Sequence, residues 1–319
     1  MITSDVDLAI ESLKKGDLVA IPTETVYGLA GNAFDEPAVK KIFKVKNRPL
    51  FNPLIVHISN SKYVNRIAQN IPETAQKLSK HFWPGPLTLV LEKKMHISDI
   101  VTAGKSTVAV RVPNHKLTLD LLSKLPFPLV APSANPFGFT SPTSADHVIE
   151  CFADKIDLIL DGGVCLKGIE STIIGFENKN AILYRHGSIS IEEIEKIIGK
   201  VEIKNKSNLS PEAPGMVKRH YAPKTKMIFS NDFIKSVKSY PNKKIGILCL
   251  KRVEKIPKSV HQEILSSDGN LNEAAKNLYT ALHKLDRLNL DLILTSNVPE
   301  FELGRSINDR LRRAVEVEN

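Results

Sequence analysis

Cysteine and aromatic residues are both scarce in this chain. Cys151, Cys165 and Cys249 are its three thiols, scattered over 319 residues. Their spacing supplies neither a disulfide framework nor a paired zinc-ligand motif, and such sparse use fits a reducing, cytoplasmic setting. Aromatics make up 6% of the chain, with a single tryptophan, too few to build a stacking platform for single-stranded nucleic acid. No apolar run is long enough to span a bilayer. Residues 1–16 pattern as an amphipathic helix through Val6, Ile10 and Leu13, not as a secretory signal. There is no G-x-G-x-x-G dinucleotide fingerprint, no G-x-S-x-G nucleophile elbow and no internal repeat.

What is present is a chain long enough for two domains, with 42% hydrophobic residues to fill their cores. The formal charge of +9 favours anionic partners, a nucleotide or a nucleic acid. Its lysines are dispersed, so most of them read as a solvated surface.

One stretch organises the rest. Residues 18–21 read as a short buried strand that delivers Thr23, Glu24, Thr25 and Tyr27 to a sheet end, where Gly28 and Gly31 are expected to turn the chain. Asp35 is placed to cap a helix carrying Val39, Ile42 and Phe43 on one face. Lys44, Lys46 and Arg48 gather where Pro49 stops it. Hydroxyls, a carboxylate and three cations near one strand end suit a small polar substrate held beside a phosphate-bearing one.

Further strands follow at 54–58, 87–91, 107–111, 127–130, 157–161, 170–175 and 181–186, with helices at 72–82, 117–124 and 144–152. Strict alternation over 107–113 sets Thr107, Ala109 and Arg111 on one face and the three valines Val108, Val110 and Val112 on the other. An arginine among small residues points to a cavity holding an anion. Asp161, before two glycines, suits either a turn or a place near magnesium. Ser190 and Glu193 form a capping box for a helix closed by Gly199. After it, residues 201–212 read as a linker, and strands and helices alternate from Lys226 onward, implying a small doubly wound parallel sheet.

The motifs PTETVYGL, KNRP, NPLIVH, WPGPLT, TVAVR, APSAN, SPT, DGG and GIEST, in that order, resemble the YrdC-type domain of the L-threonylcarbamoyladenylate synthases. RHYAP at 219–223 and the alternating tail are similar to the two-domain form of that family. The resemblance implies an α/β fold with a twisted mixed-sheet YrdC-like domain (1–200), a linker or lid (201–224) and a smaller doubly wound, Rossmann-like domain (225–319). It also implies a nucleotidyltransferase that joins L-threonine, bicarbonate and ATP, with Mg2+ accompanying ATP, into L-threonylcarbamoyl-AMP and pyrophosphate. The product would pass to a downstream threonylcarbamoyl transferase machinery that modifies a tRNA adenosine next to the anticodon.

Carried over residue by residue, the resemblance implies that Thr25, His57, Arg111, Ala131 and Ser171 hold threonine, Arg111 gripping its carboxylate through two nitrogens. Lys46, Arg48, Asn52, Thr107, Ser133, Ser141 and Arg185 would hold ATP, with backbone N–H groups at 133–135 forming an anion nest. His220 and Tyr221 would lie on a lid. No protein ligand for a metal and no general base is assigned, and no membrane is implied. Two other classes compete. A basic surface could recognise tRNA or double-stranded RNA by shape without chemistry, and Ser133 or Ser171 with His57 could form a hydrolase pair, which the missing elbow disfavours.

Overall fold

The computed structural model of the chain describes residues 1–152, 155–177, 180–204 and 220–315. Among these, fifteen strands split into two sheets. The large one contains β1 (Ile2–Thr3), β2 (Val19–Ile21), β3 (Gly28–Asn32), β4 (Ile55–His57), β5 (Leu87–Glu92), β6 (Thr107–Arg111), β7 (Leu129–Val130), β8 (Leu158–Leu160), β9 (Thr172–Glu177), β10 (Asn180–Arg185) and β11 (Glu202–Ile203). Across it the order is β1-β8-β2-β3-β7-β4-β6-β5-β9-β10-β11, with parallel and antiparallel pairs mixed. The small sheet holds β12 (Met227–Phe229), β13 (Ile245–Cys249), β14 (His261–Ile264) and β15 (Leu292–Thr295) in the order β12-β15-β13-β14, every pair parallel.

Period-two alternation sorts each strand's residues between two cores. In the large sheet, Val56, Val108, Val110, Leu89, Ile174 and Leu183 join the main core. Their neighbours Ile55, Ala109, Val90, Ile173 and Ile182 face the other way, into a small cluster capped by Tyr184. In the small sheet, Leu248 and Ile293 pack with helices Leu271–Arg287 and Leu303–Ala314, while Ile247, Leu292 and Leu294 pack with Phe233 and Val237 on the opposite face. Helices thus cover both faces, the doubly wound arrangement expected from the alternating pattern.

Several local expectations change. Gly28 and Gly31 do not turn the chain; both lie within β3. A Cβ at Gly28 would stand 3.1 Å from Ala131 Cβ, and one at Gly31 3.1 Å from Leu18 and 3.2 Å from Ile42, so close packing is what these glycines permit. Asp35 occupies the N-cap position of helix Glu36–Lys46 without any side-chain capping bond. The capping box of Ser190 and Glu193 forms as expected. β11 lies inside the stretch read as linker and pairs with β10, and β14 was not expected from the sequence at all. Most of the linker, including Pro214 and Arg219, lies outside the described residues.

Candidate active site

Parity and register build one wall of the site. His57 follows Ile55 on the same face of β4, Arg111 follows Ala109 on β6, and Ser171 precedes Ile173 of β9 by two. β4 and β6 are parallel neighbours with His57 and Arg111 in register, so the two side chains emerge side by side at strand ends. Thr25, His57, Arg111, Ala131 and Ser171 meet Arg48, Ser133, Arg185, His220 and Tyr221 around a single void of about 560 Å³, its mouth included.

Arg111 is held from behind. Its Nη1 donates to Thr25 Oγ1 at 3.0 Å, its Nε to Gly85 O at 3.3 Å, and its Nη2 stands 2.7 Å from Glu24 Oε1. That last contact is an ion pair without hydrogen-bond alignment, since neither Nη2 nor Glu24 makes a bond. With five N–H groups to offer, the guanidinium keeps one on Nη1 and both on Nη2. Thr23 fixes the loop, its hydroxyl donating to Val26 O at 2.6 Å and accepting from the N–H of Thr25 and Val26. His57 is buried, and burial together with the charge of Arg111 lowers its pKa to about 3. The ring is therefore neutral. Its Nδ1 lies 3.2 Å from Ile55 O and must donate there, which leaves Nε2 as an acceptor.

The opposite wall is cationic. Arg48 donates to Asn52 O and Pro53 O at 3.1 and 2.7 Å, and burial, with Arg185 nearby, lowers its pKa to about 9. Arg185 donates through Nε and Nη2 to Ser171 O, and through Nη2 to Ser171 Oγ at 3.0 Å. By simple alternation Arg185 would share the face of Leu183. A bulge between the two shifts the register, and bulges re-aim side chains in this way.

Four expected ATP ligands do not line the void. Lys46 sits behind the 133–135 loop, its ammonium bonded to the carbonyls of Ser133 and Asn135, and burial pulls its pKa well down. The anion nest expected in that loop is absent, because Ala134 N–H donates to Tyr27 O and Asn135 N–H to Ser133 O. Ser141 donates to Glu170 Oε1 at 2.7 Å. Asn52 is wholly buried with neither amide atom partnered. Thr107 begins β6 opposite Glu92, four residues and about 13 Å along the strand from Arg111.

His220 and Tyr221 close one side of the void, their rings edge to face at 4.1 Å. Both are buried, yet His220 Nδ1 and the Tyr221 hydroxyl lack partners, and Tyr221 holds a left-handed backbone at φ 65°. Burial, then the charges of Arg48 and Lys46, keeps His220 neutral. Asp161 is a turn residue: its Oδ1 accepts from Gly163 N–H at 2.9 Å and faces the Tyr27 hydroxyl at 3.0 Å. Among the described residues no three His, Cys, Asp or Glu side chains stand together as a metal site.

Sequence reasoning missed three residues here. Glu170 lines the void and is bound by Arg310, through Nε at 3.2 Å and Nη2 at 2.9 Å, and by the Tyr279 hydroxyl at 2.9 Å. Burial alone would raise the Glu170 pKa, but Arg310, Arg185 and the Ser141 hydroxyl outweigh it and hold it below the usual range. Arg310 and Tyr279 both come from the second domain. A signal existed: Arg310 falls on the helix face of Leu303, Ile307, Leu311 and Ala314, where a charge has no reason to be unless it has a buried partner.

Residues 11–187 match the Sua5, YciO and YrdC family model, described as telomere recombination, and residues 189–315 match the C-terminal domain model of threonylcarbamoyl-AMP synthase. The threonylcarbamoyl-AMP synthase of Pyrococcus abyssi is 43% identical over 96% of this chain and 93% of its own. The enzyme of that name from Bacillus subtilis is 36% identical over 95% and 90%. A crystal structure of P. abyssi Sua5 complexed with L-threonine superposes with a TM-score of 0.89 at 40% identity, covering 98% of this chain and 96% of that one. The chain belongs to the threonylcarbamoyl-AMP synthase family, in its two-domain form.

Proposed function

We propose that the chain joins L-threonine, bicarbonate and ATP into L-threonylcarbamoyl-AMP and releases pyrophosphate. The observation that carries this reading is the meeting of Arg111, His57, Thr25 and Ser171 with Arg48, Arg185 and Ser133 around one void. The threonine carboxylate goes to the remaining N–H groups of Arg111, and His57 Nε2 accepts from the substrate's hydroxyl or amine. Arg48 and Arg185 face the phosphates.

The protein has no covalent work to do, so positioning and charge neutralisation carry the rate. The carbamate that forms on the threonine nitrogen attacks the α-phosphorus, and pyrophosphate leaves. Carbamate and mixed anhydride are both lost to water, which gives His220 and Tyr221 their purpose as a lid over the void. Glu170, which lines the void, and Glu24, behind Arg111, are both committed to arginines. Magnesium in this reading is accordingly the ion that ATP brings on its own phosphates, where it offsets their charge, and no protein side chain is assigned to it.

No helix among the described residues is long and apolar enough to cross a membrane. The three free thiols support a cytoplasmic setting. The product is handed to a transferase that places the threonylcarbamoyl group on tRNA adenosine beside the anticodon. A module that merely tracked phosphates of tRNA or double-stranded RNA would have no use for a buried Arg111–Thr25 contact. Pyrophosphate release measured with ATP, bicarbonate and magnesium, with and without threonine, separates the two. Threonine-dependent release is expected; absent or threonine-independent release would favour the binding module.

A further inference from the structure

We propose that Arg310, from the second domain, is a positioning residue for the nucleotide side of the active site, acting through Glu170. The inference rests on the synthase reading above.

A carboxylate in the wall of a void meant for polyphosphate is a liability unless its charge is cancelled. Glu170 is such a group. It lines the same void as Arg48 and Arg185, and its backbone leads directly into Ser171, whose carbonyl and hydroxyl hold Arg185. Three donors bind its carboxylate: Ser141 and, from the second domain, Tyr279 and Arg310. Only Arg310 brings a charge. Its guanidinium is 1% exposed, and it also donates to His186 O, next to Arg185, at 2.5 Å and to Ser306 O at 3.3 Å. It lies 5.2 Å from the centre of the Tyr221 ring. One side chain of the second domain thus touches the carboxylate, the strand end and the aromatic ring that flank the void.

Burying an ion pair is a poor way to glue two domains, because apolar residues of the same volume do as well or better. Its placement beside the nucleotide cations gives it another use. Without Arg310, the cation left with a strong pull on the Glu170 carboxylate is Arg185. Arg185 would then be drawn from Ser171 toward Glu170, away from the geometry that faces phosphate. A displacement of about 1 Å in such a group costs on the order of 100-fold.

The test compares wild type, Arg310→Gln, Glu170→Gln and the double variant Glu170→Gln/Arg310→Gln in the full chain. ATP and threonine binding are read by calorimetry, alongside pyrophosphate release and thermal melting. Arg310→Gln is expected to weaken ATP binding and kcat/KM by about 100-fold, while threonine binding stays within about threefold. Removing the orphaned charge should reverse this, so the double variant is expected to regain at least about tenfold over Arg310→Gln. A double variant no better than Arg310→Gln, or an Arg310→Gln that binds ATP as wild type does, overturns the inference and leaves Arg310 a docking residue. Should Arg310→Gln not fold, the double variant alone decides. Folded and within about tenfold of wild type it supports the inference; weaker or unfolded, it overturns it. A wild type that binds ATP but releases no pyrophosphate would sink the synthase reading, and the ATP-binding contrast between variants would still decide the role of Arg310.

Discussion

Arg111 carries the most weight of any single side chain in the proposed reaction. Its neighbours Glu24, Thr25 and Gly85 orient the guanidinium without exhausting its donors. Arg111→Ala should therefore raise the threonine KM by on the order of 100-fold or more, and the ATP KM far less. Initial rates of pyrophosphate release at varied threonine and varied ATP check this, and equal rises in both constants would refute the assignment. Arg111→Lys should not rescue, since a lysine replaces a fixed planar fork with a single point charge. At this scale the motifs made much legible: ten of the fourteen named residues meet at the void. Lys46 shows why the other four stand away from the void. A lysine beside an arginine reads as a phosphate ligand, and no sequence pattern reveals that two loop carbonyls claim its ammonium first. Glu24 was read only as a carboxylate at the sheet end, and its pairing with Arg111 was not foreseen, because that partner lies 87 positions away on another strand.

Among the elements, apolar runs bounded by Gly and Pro located most strands within a residue or two. β14 escaped because its residues, His261–Ile264, are polar or only half-buried at an edge and show no alternation. The bulge before Arg185 escaped because it is a property of the pairing with β9, not of either strand. Two variants probe how the elements hold the site. Ser190→Ala removes the cap of helix Ile191–Ile198 and should cost about 1 kcal/mol, seen as a lower urea midpoint with unchanged kcat/KM. Gly187→Ala is a sterner change. A Cβ there would stand 2.2 Å from Thr172 N and 2.3 Å from the Ser171 carbonyl carbon, so the strand end carrying Ser171 must move. Threonine binding should weaken by at least about tenfold; calorimetry showing wild-type affinity would contradict the placement of Ser171 in the site.

For the whole molecule, the composition indicated two domains but not how they meet. Their seam stacks His147 of the first domain on His283 of the second at 3.9 Å, near Arg310 and Tyr279 on Glu170. Burial first, and neighbouring charge second, lowers the pKa of His57 and of His147 to about 3. The sign follows directly. Unfolded, these rings take up a proton near pH 6.5, and folded they refuse it until about pH 3, so each proton bound favours unfolding. Their contribution to stability is complete above pH 6.5 and shrinks below it, by about 2 kcal/mol for His57 by pH 5. Melting temperatures should fall steadily from pH 7 toward pH 5; a flat profile over that range would mean that the rings are not buried neutral. The sequence could not foretell this seam, because it joins residues more than a hundred positions apart. Glu170 and Arg310 are separated by 140 residues. While the chain is being synthesised, its threonine-facing strands can fold long before helix Leu303–Ala314 has left the ribosome. A nascent chain can therefore hold its threonine-facing strands before the helix that carries Arg310 arrives to meet Glu170.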